Sequence, residues 1–404
     1  MAGRSLLAAI DVGTSKICCL IAEKKGEELS ALGLGMVPAQ GLRKGVVINI
    51  EEAARAIAEA KREAEVQAYE DVQQVITGIA GSHIESLTSH GVIALKEGEV
   101  KSEDVDRVLE AAKAINLSQD RVILHVLPQE FSIDNQTGIL QPIGMSGVRL
   151  EVKAHLITAS ASAVQNQVKC LSMAGVEVQA VVLQALASSE AVLSPEEKEL
   201  GVALIDFGGG TTDVAVFLEG SLRYTASVPV GGDLLTSDLT VGLRTPRSAA
   251  EKLKEEYGVC LPELVSQDEI LEVPSLGQKP PRKLSRRLLA EILEPRVQEL
   301  LEIINTNLEV SGLKKRLSSG VVITGGSALL KGLPEFAEQI FDLPVRIGYP
   351  VKLSGLSEEV NHPRLSTAVG LLLYAARYLD LAEDKTSSEE GFLEKFKKIL
   401  GIGG

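Results

Sequence analysis

Val202-Ala203-Leu204-Ile205-Asp206-Phe207-Gly208-Gly209-Gly210-Thr211-Thr212-Asp213 reads as a buried strand running into a glycine turn, and Ala8-Ala9-Ile10-Asp11-Val12-Gly13-Thr14-Ser15-Lys16 has the same design about half a chain earlier. In each, an apolar run reaches Asp, then one apolar residue, glycine and small hydroxyl residues. A second apolar strand follows each turn, over residues 17–22 and 214–218. The reading is two matched hairpins. Glycine lets backbone approach a ligand closely, and successive N–H groups in a turn form an anion-binding concavity. The Thr and Ser hydroxyls add donors to phosphate oxygens. A carboxylate at the strand end repels a bare phosphate, so Asp11 and Asp206 are read as holding a hydrated Mg²⁺ that bridges phosphate oxygens. Two such hairpins facing each other would clamp a nucleotide tail from both sides.

A third glycine element lies near the end. Val321-Val322-Ile323-Thr324-Gly325-Gly326-Ser327 reads as a buried strand and a Gly-Gly turn, followed by a helix that Ser327 is expected to cap. Flat groups such as a base or ribose can lie on such a turn. Competing nucleotide motifs are absent: there is no G-x-x-x-x-G-K-[ST] P-loop, no Rossmann fingerprint, since Gly208-Gly209-Gly210 leads into a strand, and no G-x-S-x-G elbow.

The 404 residues suffice for two to four domains or subdomains. With 45% hydrophobic, 24% charged and 3% aromatic residues and no Trp, the composition is globular, its core built from Ala, Val, Ile and Leu. A formal net charge of −14 argues against nucleic-acid binding, which needs clustered Lys and Arg. Four cysteines without a CxxC spacing fit a reducing compartment. Five histidines without HxH or HxxxH spacing argue against a zinc site. No signal peptide or membrane-spanning run is evident, so a cytoplasmic protein is expected.

The order of these motifs resembles the actin, Hsp70 and sugar-kinase ATPase superfamily, and within it the bacterial cell-division FtsA family. The closer resemblance rests on Gly41-Leu42-Arg43-Lys44-Gly45-Val46-Val47-Ile48-Asn49-Ile50, on Thr77-Gly78-Ile79-Ala80-Gly81-Ser82-His83-Ile84, and on His125-Val126-Leu127-Pro128-Gln129-Glu130-Phe131 with Asp134 and Gly144-Met145. It implies an α/β, two-lobed actin-like ATPase fold with a nucleotide cleft and a small α+β subdomain inserted in lobe one. Lobe one is expected at 1–84, 163–200 and 365–380, with the insertion at 85–162 (strands near 91–95, 121–131 and 149–158, a helix over 102–115). Lobe two is expected at 201–245 and 306–364, with a small subdomain at 246–305. That subdomain would hold a helix over 248–257 ending at Gly258 as a C′ glycine, then a Pro-rich loop over 272–287. Connecting helices are expected at 184–193 and 367–378, where Ala185, Ala187, Ser188, Ala368 and Gly370 would let them cross closely.

The resemblance also implies ATP and Mg²⁺ as cofactors, with slow hydrolysis at most. The implied nucleotide-binding residues are Gly13, Thr14, Ser15, Lys16, Gly208, Gly209, Gly210, Thr211, Thr212, Gly231, Gly232, Lys254, Glu255, Gly325, Gly326 and Ser327. Asp11 and Asp206 would act on the metal through water, and Gln184 would orient water. The small subdomain would dock the acidic C-terminal peptide of FtsZ, with Arg282, Lys283, Arg286 and Arg287 as the candidate patch. Further implied partners are the chain itself in a filament, membrane lipids and other division proteins, at the division site.

Residues 381–390 read as a polar linker, before Gly391-Phe392-Leu393-Glu394-Lys395-Phe396-Lys397-Lys398-Ile399-Leu400. At about 100° per residue, Phe392, Leu393, Phe396, Ile399 and Leu400 share one face, and Lys395, Lys397 and Lys398 flank it. This is the profile of an interfacial helix, and 391–404 resembles the family's membrane-targeting tail. One such helix binds reversibly, so polymerisation would firm the attachment by avidity. Alternatives are an adaptor of type IV pilus assembly of similar fold, or an Hsp70-like or sugar-kinase-like ATPase. The last two are disfavoured, since little chain follows Ser327 for a substrate domain and no sugar site is apparent.

Overall fold

A computed structural model describes residues 4–277 and 280–379. Strands β1 (Arg4–Val12) and β2 (Lys16–Lys25) pair antiparallel, and Ile17 through Ala22 are fully buried. Strand β3 (Glu28–Pro38) alternates buried and half-buried residues, as a strand covered on one face does. A two-residue hairpin of β4 (Leu42–Arg43) and β5 (Val46–Val47) follows. Helix α1 (Ile50–Ala68) is capped by Asn49, whose side chain accepts from the N–H groups of Glu51 (3.1 Å) and Glu52 (3.2 Å). It lies on β3 through Ala60 and Ala64, small residues that let the backbones approach. Strand β6 (Gln74–Ile79) then pairs parallel to β1.

The inserted unit comprises β7 (Glu85–Ala94), α2 (Ser102–Lys113), β8 (Arg121–Ile133), β9 (Gln136–Ile139) and β10 (Arg149–Ser160), in a sheet ordered β7-β10-β8-β9. Arg121 fastens its neck: the guanidinium pairs with Glu85 (2.9 Å) and donates to the His83 carbonyl (3.1 Å) and Thr158 Oγ1 (2.8 Å). Helix α3 (Ala161–Met173) and strand β11 (Glu177–Leu183) return the chain to lobe one. Helix α4 (Gln184–Val192) and the short α5 (Pro195–Leu200) lead into lobe two.

Lobe two starts with β12 (Val202–Phe207), β13 (Thr212–Leu218) and β14 (Ser221–Val228), every residue of β12 and β13 being buried. Helices α6 (Gly232–Leu243) and α7 (Arg247–Tyr257), the hairpin of β15 (Ile270–Val273) and β16 (Arg282–Ser285), and α8 (Arg286–Val310) follow. Then come β17 (Val321–Thr324), α9 (Leu333–Phe341) and β18 (Val345–Ile347), which complete a sheet ordered β14-β13-β12-β17-β18. The chain returns earlier than expected. Strand β19 (Ser354–Gly355) pairs with β3, so part of 306–364 belongs to the lobe-one sheet, ordered β11-β6-β1-β2-β3-β19. A single turn, α10 (Ser357–Val360), precedes α11 (Ser366–Tyr374). Helices α4 and α11 cross where a Cβ on Gly370 would overlap the Ala187 carbonyl oxygen, and both belong to a core cluster that joins the lobes.

Three local expectations need correction. Gly258 has φ −59°, so it is no left-handed C′ residue; its place is set by space, since a Cβ there would overlap the Lys254 carbonyl oxygen. Ser327 does not cap a helix. It lies inside a 3₁₀ turn, Gly326–Leu329, and α9 begins only after Gly332. The stretch 272–287 is not one loop, because its two ends pair as β15 and β16.

Two buried histidines shape the acid response. His125 accepts from the Leu183 N–H (3.0 Å), and His155 Nε2 lies 3.2 Å from Thr225 Oγ1, bridging the inserted unit to lobe two. Burial pushes both down to about 4 from the ordinary 6.5. The unfolded chain therefore takes up these protons first as pH falls. Their stabilisation is complete above about 6.5 and lost as pH falls towards 4. At pH 5 each is expected to cost about 1–2 kcal/mol relative to pH 7. Urea denaturation at both pH values checks this: His155→Gln should narrow the difference, and an unchanged difference in that variant refutes it.

Candidate nucleotide cleft

The sequence echo is an echo of geometry. Val12 faces Ile17 and Phe207 faces Thr212 across the ladders, so each hairpin has a four-residue turn. Each turn is closed by the same hydrogen bond: Gly13 N–H to the Lys16 carbonyl and Gly208 N–H to the Thr211 carbonyl, both 3.0 Å. The turns come from opposite lobes and abut. A Cβ on Gly210 would stand 2.6 Å from Thr14 Oγ1, and one on Gly209 would overlap Ser15. Both turns line one cavity of about 1300 Å³, shared with Asp11, Asp206, Gln184, Gly231, Gly232, Lys254, Glu255 and the Gly325-Gly326-Ser327 turn.

Thr212 is the exception among the expected cavity residues. It is fully buried, and its hydroxyl donates to the Val230 carbonyl (2.7 Å). Strand alternation accounts for it: β13 starts at Thr212, so Thr211 and Asp213 share the cavity side and Thr212 points the other way.

The carboxylates are held, not loose. Asp11 accepts from Lys16 Nζ (2.8 Å) and Gln184 Nε2 (3.1 Å). Asp206 accepts from Ser188 Oγ (2.6 Å) and Thr367 Oγ1 (3.3 Å), which extend from α4 and α11. Burial raises the Asp206 carboxyl above the usual carboxylate range, and the Asp11 charge raises it further. Asp213, opposite Asp206 in the ladder, is pushed up to about 7 by burial first and by Asp206 as well. Burial, the largest single influence, would lower the Lys16 ammonium, but the charge and hydrogen bond of Asp11 together with the Cys18 and Asp206 charges outweigh it, and the net shift is upward. Among the described residues no three His, Cys, Asp or Glu side chains come together to ligate a metal directly, so these residues fit a divalent cation only as one held through its own waters by Asp11 and Asp206.

The N-terminus of α6 packs on the second turn: Gly232 N–H donates to Gly208 O (3.0 Å) and Asp233 N–H to Gly209 O (2.8 Å). Lys254 Nζ reaches back to Gly232 O (3.1 Å), Thr236 Oγ1 (2.9 Å) and Glu251 (2.9 Å), so α7 is laced to the same corner. Gly325 has φ 88°, and a Cβ there would press on Asp206 and Phe207, which brings the third glycine element against the second hairpin. Sequence reasoning passed over Asp213, Glu251, Arg43, Lys44 and Arg364 as cavity residues. Glu251 was within reach, one turn before Lys254 and Glu255 on the same helix.

The chain matches two family models: "Cell division protein FtsA" over residues 203–370 and "SHS2 domain inserted in FTSA" over 81–158. It is 45% identical to the cell division protein FtsA of Pseudomonas aeruginosa, covering 91% of this chain and 89% of that one. The chain belongs to the FtsA family. The Neisseria meningitidis FtsA is 46% identical (92% of this chain, 90% of that one), and the Bacillus subtilis FtsA 36% (93% and 85%). Among solved structures, the PilM–PilN type IV pilus biogenesis complex superposes with TM-score 0.65 at 16% identity, covering 93% of this chain and 100% of that one. MreB5 of Spiroplasma citri bound to ADP gives 0.56 at 14%, covering 94% and 99%. These distant likenesses establish the actin-like fold.

Two groups of expected FtsA residues remain. Phe392, Leu393, Lys395, Phe396, Lys397, Lys398, Ile399 and Leu400 lie outside the described residues. The basic patch proves largely engaged within the chain. Arg282 donates to the Leu243 carbonyl, Arg286 pairs with Glu269 (2.7 Å) and donates to Tyr257 O (3.0 Å), and Arg287 pairs with Glu291 (3.2 Å). Arg282 and Lys283 sit in β16, and Arg286 and Arg287 in the first turn of α8. Lys283 is exposed.

Proposed function

We propose that this FtsA-family cell-division protein binds ATP with Mg²⁺ between its lobes, polymerises on the inner face of the cytoplasmic membrane through its tail helix, and tethers the FtsZ ring there. The observation that carries the nucleotide reading is the single cavity onto which both Asp-x-Gly hairpins open, with Asp11 and Asp206 on its wall. The glycine turns and Lys16 would hold the phosphates, and Gly325, Gly326 and Ser327 would support the adenosine. Mg²⁺ would supply charge to the phosphate oxygens. Asp11 and Asp206 would orient its waters, and Gln184, bonded to Asp11, would orient the water nearest the terminal phosphate. A side-chain amide is no strong base, which suits a slow switch better than a fast enzyme.

The membrane role is supported by the apolar face and the three lysines of 391–404, and by the membership in a cell-division family. No helix among the described residues is long and apolar enough to cross a membrane, which fits attachment from one side. The small subdomain is proposed as the dock for the acidic FtsZ peptide, with Arg282, Lys283, Arg286 and Arg287 as its basic patch, of which Arg282 and Lys283 are exposed.

Co-sedimentation with anionic vesicles, with and without ATP, tests the assembly. The full chain is expected to sediment with vesicles, more so with ATP. Deletion of 391–404 should reduce binding by about tenfold or more, and Asp206→Ala should remove the ATP dependence alone. Vesicle binding that survives the deletion would refute the tail's role.

A further inference from the structure

The β4–β5 hairpin, whose sequence motif has so far carried no role, enters the cavity at its phosphate end. Leu42, Arg43, Lys44 and Gly45 all line it. The hairpin is rigidly placed. Leu42 pairs with Val47 and Arg43 with Val46, leaving Lys44 (φ 49°) and Gly45 (φ 76°) as a two-residue turn with both residues left-handed. The Gly45 N–H donates to Thr14 Oγ1 (2.9 Å), in the first phosphate turn. At the other end Ile48 N–H and Asn49 N–H both donate to the Gly41 carbonyl (2.8 and 3.1 Å), and Asn49 caps α1. The tip thus joins the phosphate turn to a long surface helix.

Its charge is unspent. Lys16 is paired with Asp11, Lys254 with Glu251 and Arg247 with Asp233. Arg43 and Lys44 are exposed, and among the described residues neither is drawn into an ion pair or side-chain hydrogen bond; Arg364, likewise unpaired on the cavity wall, stands instead against Gly326 of the third glycine turn. Two free cations at the rim of a cavity, in a chain of net charge −14, are placed to meet an anion. Thr14 adds to this. Its oxygen already accepts from Gly45, so its own proton is left to donate. Thr14 also stands against Gly210, where the two phosphate turns meet. An anion at that meeting point touches the first turn, the second turn and the hairpin together.

We propose that the β4–β5 hairpin reads the terminal phosphate: Arg43 and Lys44 contact the third phosphate of a bound nucleoside triphosphate and leave a diphosphate almost untouched. This rests on the nucleotide reading above. It makes the hairpin the part of the cleft that distinguishes the two nucleotide states and passes the difference to α1.

Isothermal titration of the full chain with Mg²⁺-AMPPNP and with Mg²⁺-ADP tests it. In Arg43→Ala/Lys44→Ala, affinity for the triphosphate analogue is expected to fall about tenfold or more, as loss of charge-assisted contacts implies. Affinity for ADP should stay within about twofold. Arg43→Lys/Lys44→Arg, which keeps both charges, should retain most of the triphosphate affinity. An equal fall for both nucleotides, or no fall for either, overturns the inference while leaving the cleft intact as a nucleotide site. A wild-type chain that binds neither nucleotide overturns the nucleotide reading itself.

Discussion

Asp206→Asn is expected to strengthen the nucleotide-free protein and to cripple the nucleotide-bound one. The Asp206 carboxylate is 8% exposed and its pKa is raised by burial and by the Asp11 charge, so holding it ionised costs free energy when no cation is present. Asparagine keeps an acceptor oxygen for Ser188 Oγ and removes the charge. The sign follows from the raised value: the wild-type penalty is absent below the ordinary carboxylate value of 3.8 and grows as pH rises through the folded-state value. At pH 8 without nucleotide, the variant should gain about 1 kcal/mol. With Mg²⁺-ATP, loss of the carboxylate proposed to orient the metal's waters should weaken binding about a hundredfold. Scanning fluorimetry reads the first effect and calorimetry the second. Equal affinity in the two proteins would remove Asp206 from the metal site.

Gly370→Val is expected to be among the most damaging single changes in the molecule. A Cβ at this position overlaps the Ala187 carbonyl oxygen where α4 and α11 cross. Valine adds three carbons at a point with no room, and separating the helices would unpack the core that joins the lobes. Overpacking of this kind costs about 3 kcal/mol or more. Gly370→Ala sharpens the test, because helix propensity alone favours alanine by about 1 kcal/mol. A destabilised alanine variant in urea denaturation confirms that the crossing decides; a stabilised one refutes the close approach. Since Ser188 and Thr367 extend from these same helices to Asp206, the valine variant should also weaken nucleotide binding.

Much of the site was legible because its turns are local. Each four-residue turn is closed by a bond between residues three apart, and the glycines and hydroxyls it needs are neighbours in the chain. Helices α4 and α11 were legible for a related reason, since their small residues state a close approach before the partner is known. The readings that failed were those requiring knowledge of what lies opposite. Residues 272–287 looked like a Pro-rich loop, yet their ends pair across the intervening segment. Nor did the sequence show that carbonyls and carboxylates from Leu243, Tyr257, Glu269 and Glu291 engage Arg282, Arg286 and Arg287.

The amino-acid order on its own determined that two matched hairpins exist, that each ends in a carboxylate beside a glycine turn, and that a third glycine turn follows a buried strand. These are consequences of period, turn chemistry and residue size within a dozen positions. Only the tertiary structure decided that the hairpins abut across one cavity, that Thr212 turns from it while Asp213 faces it, and that the Arg43-Lys44 tip reaches the same space. Those facts depend on which surfaces are brought face to face, and burial and electrostatic coupling between groups far apart in sequence arise only once the lobes are packed together.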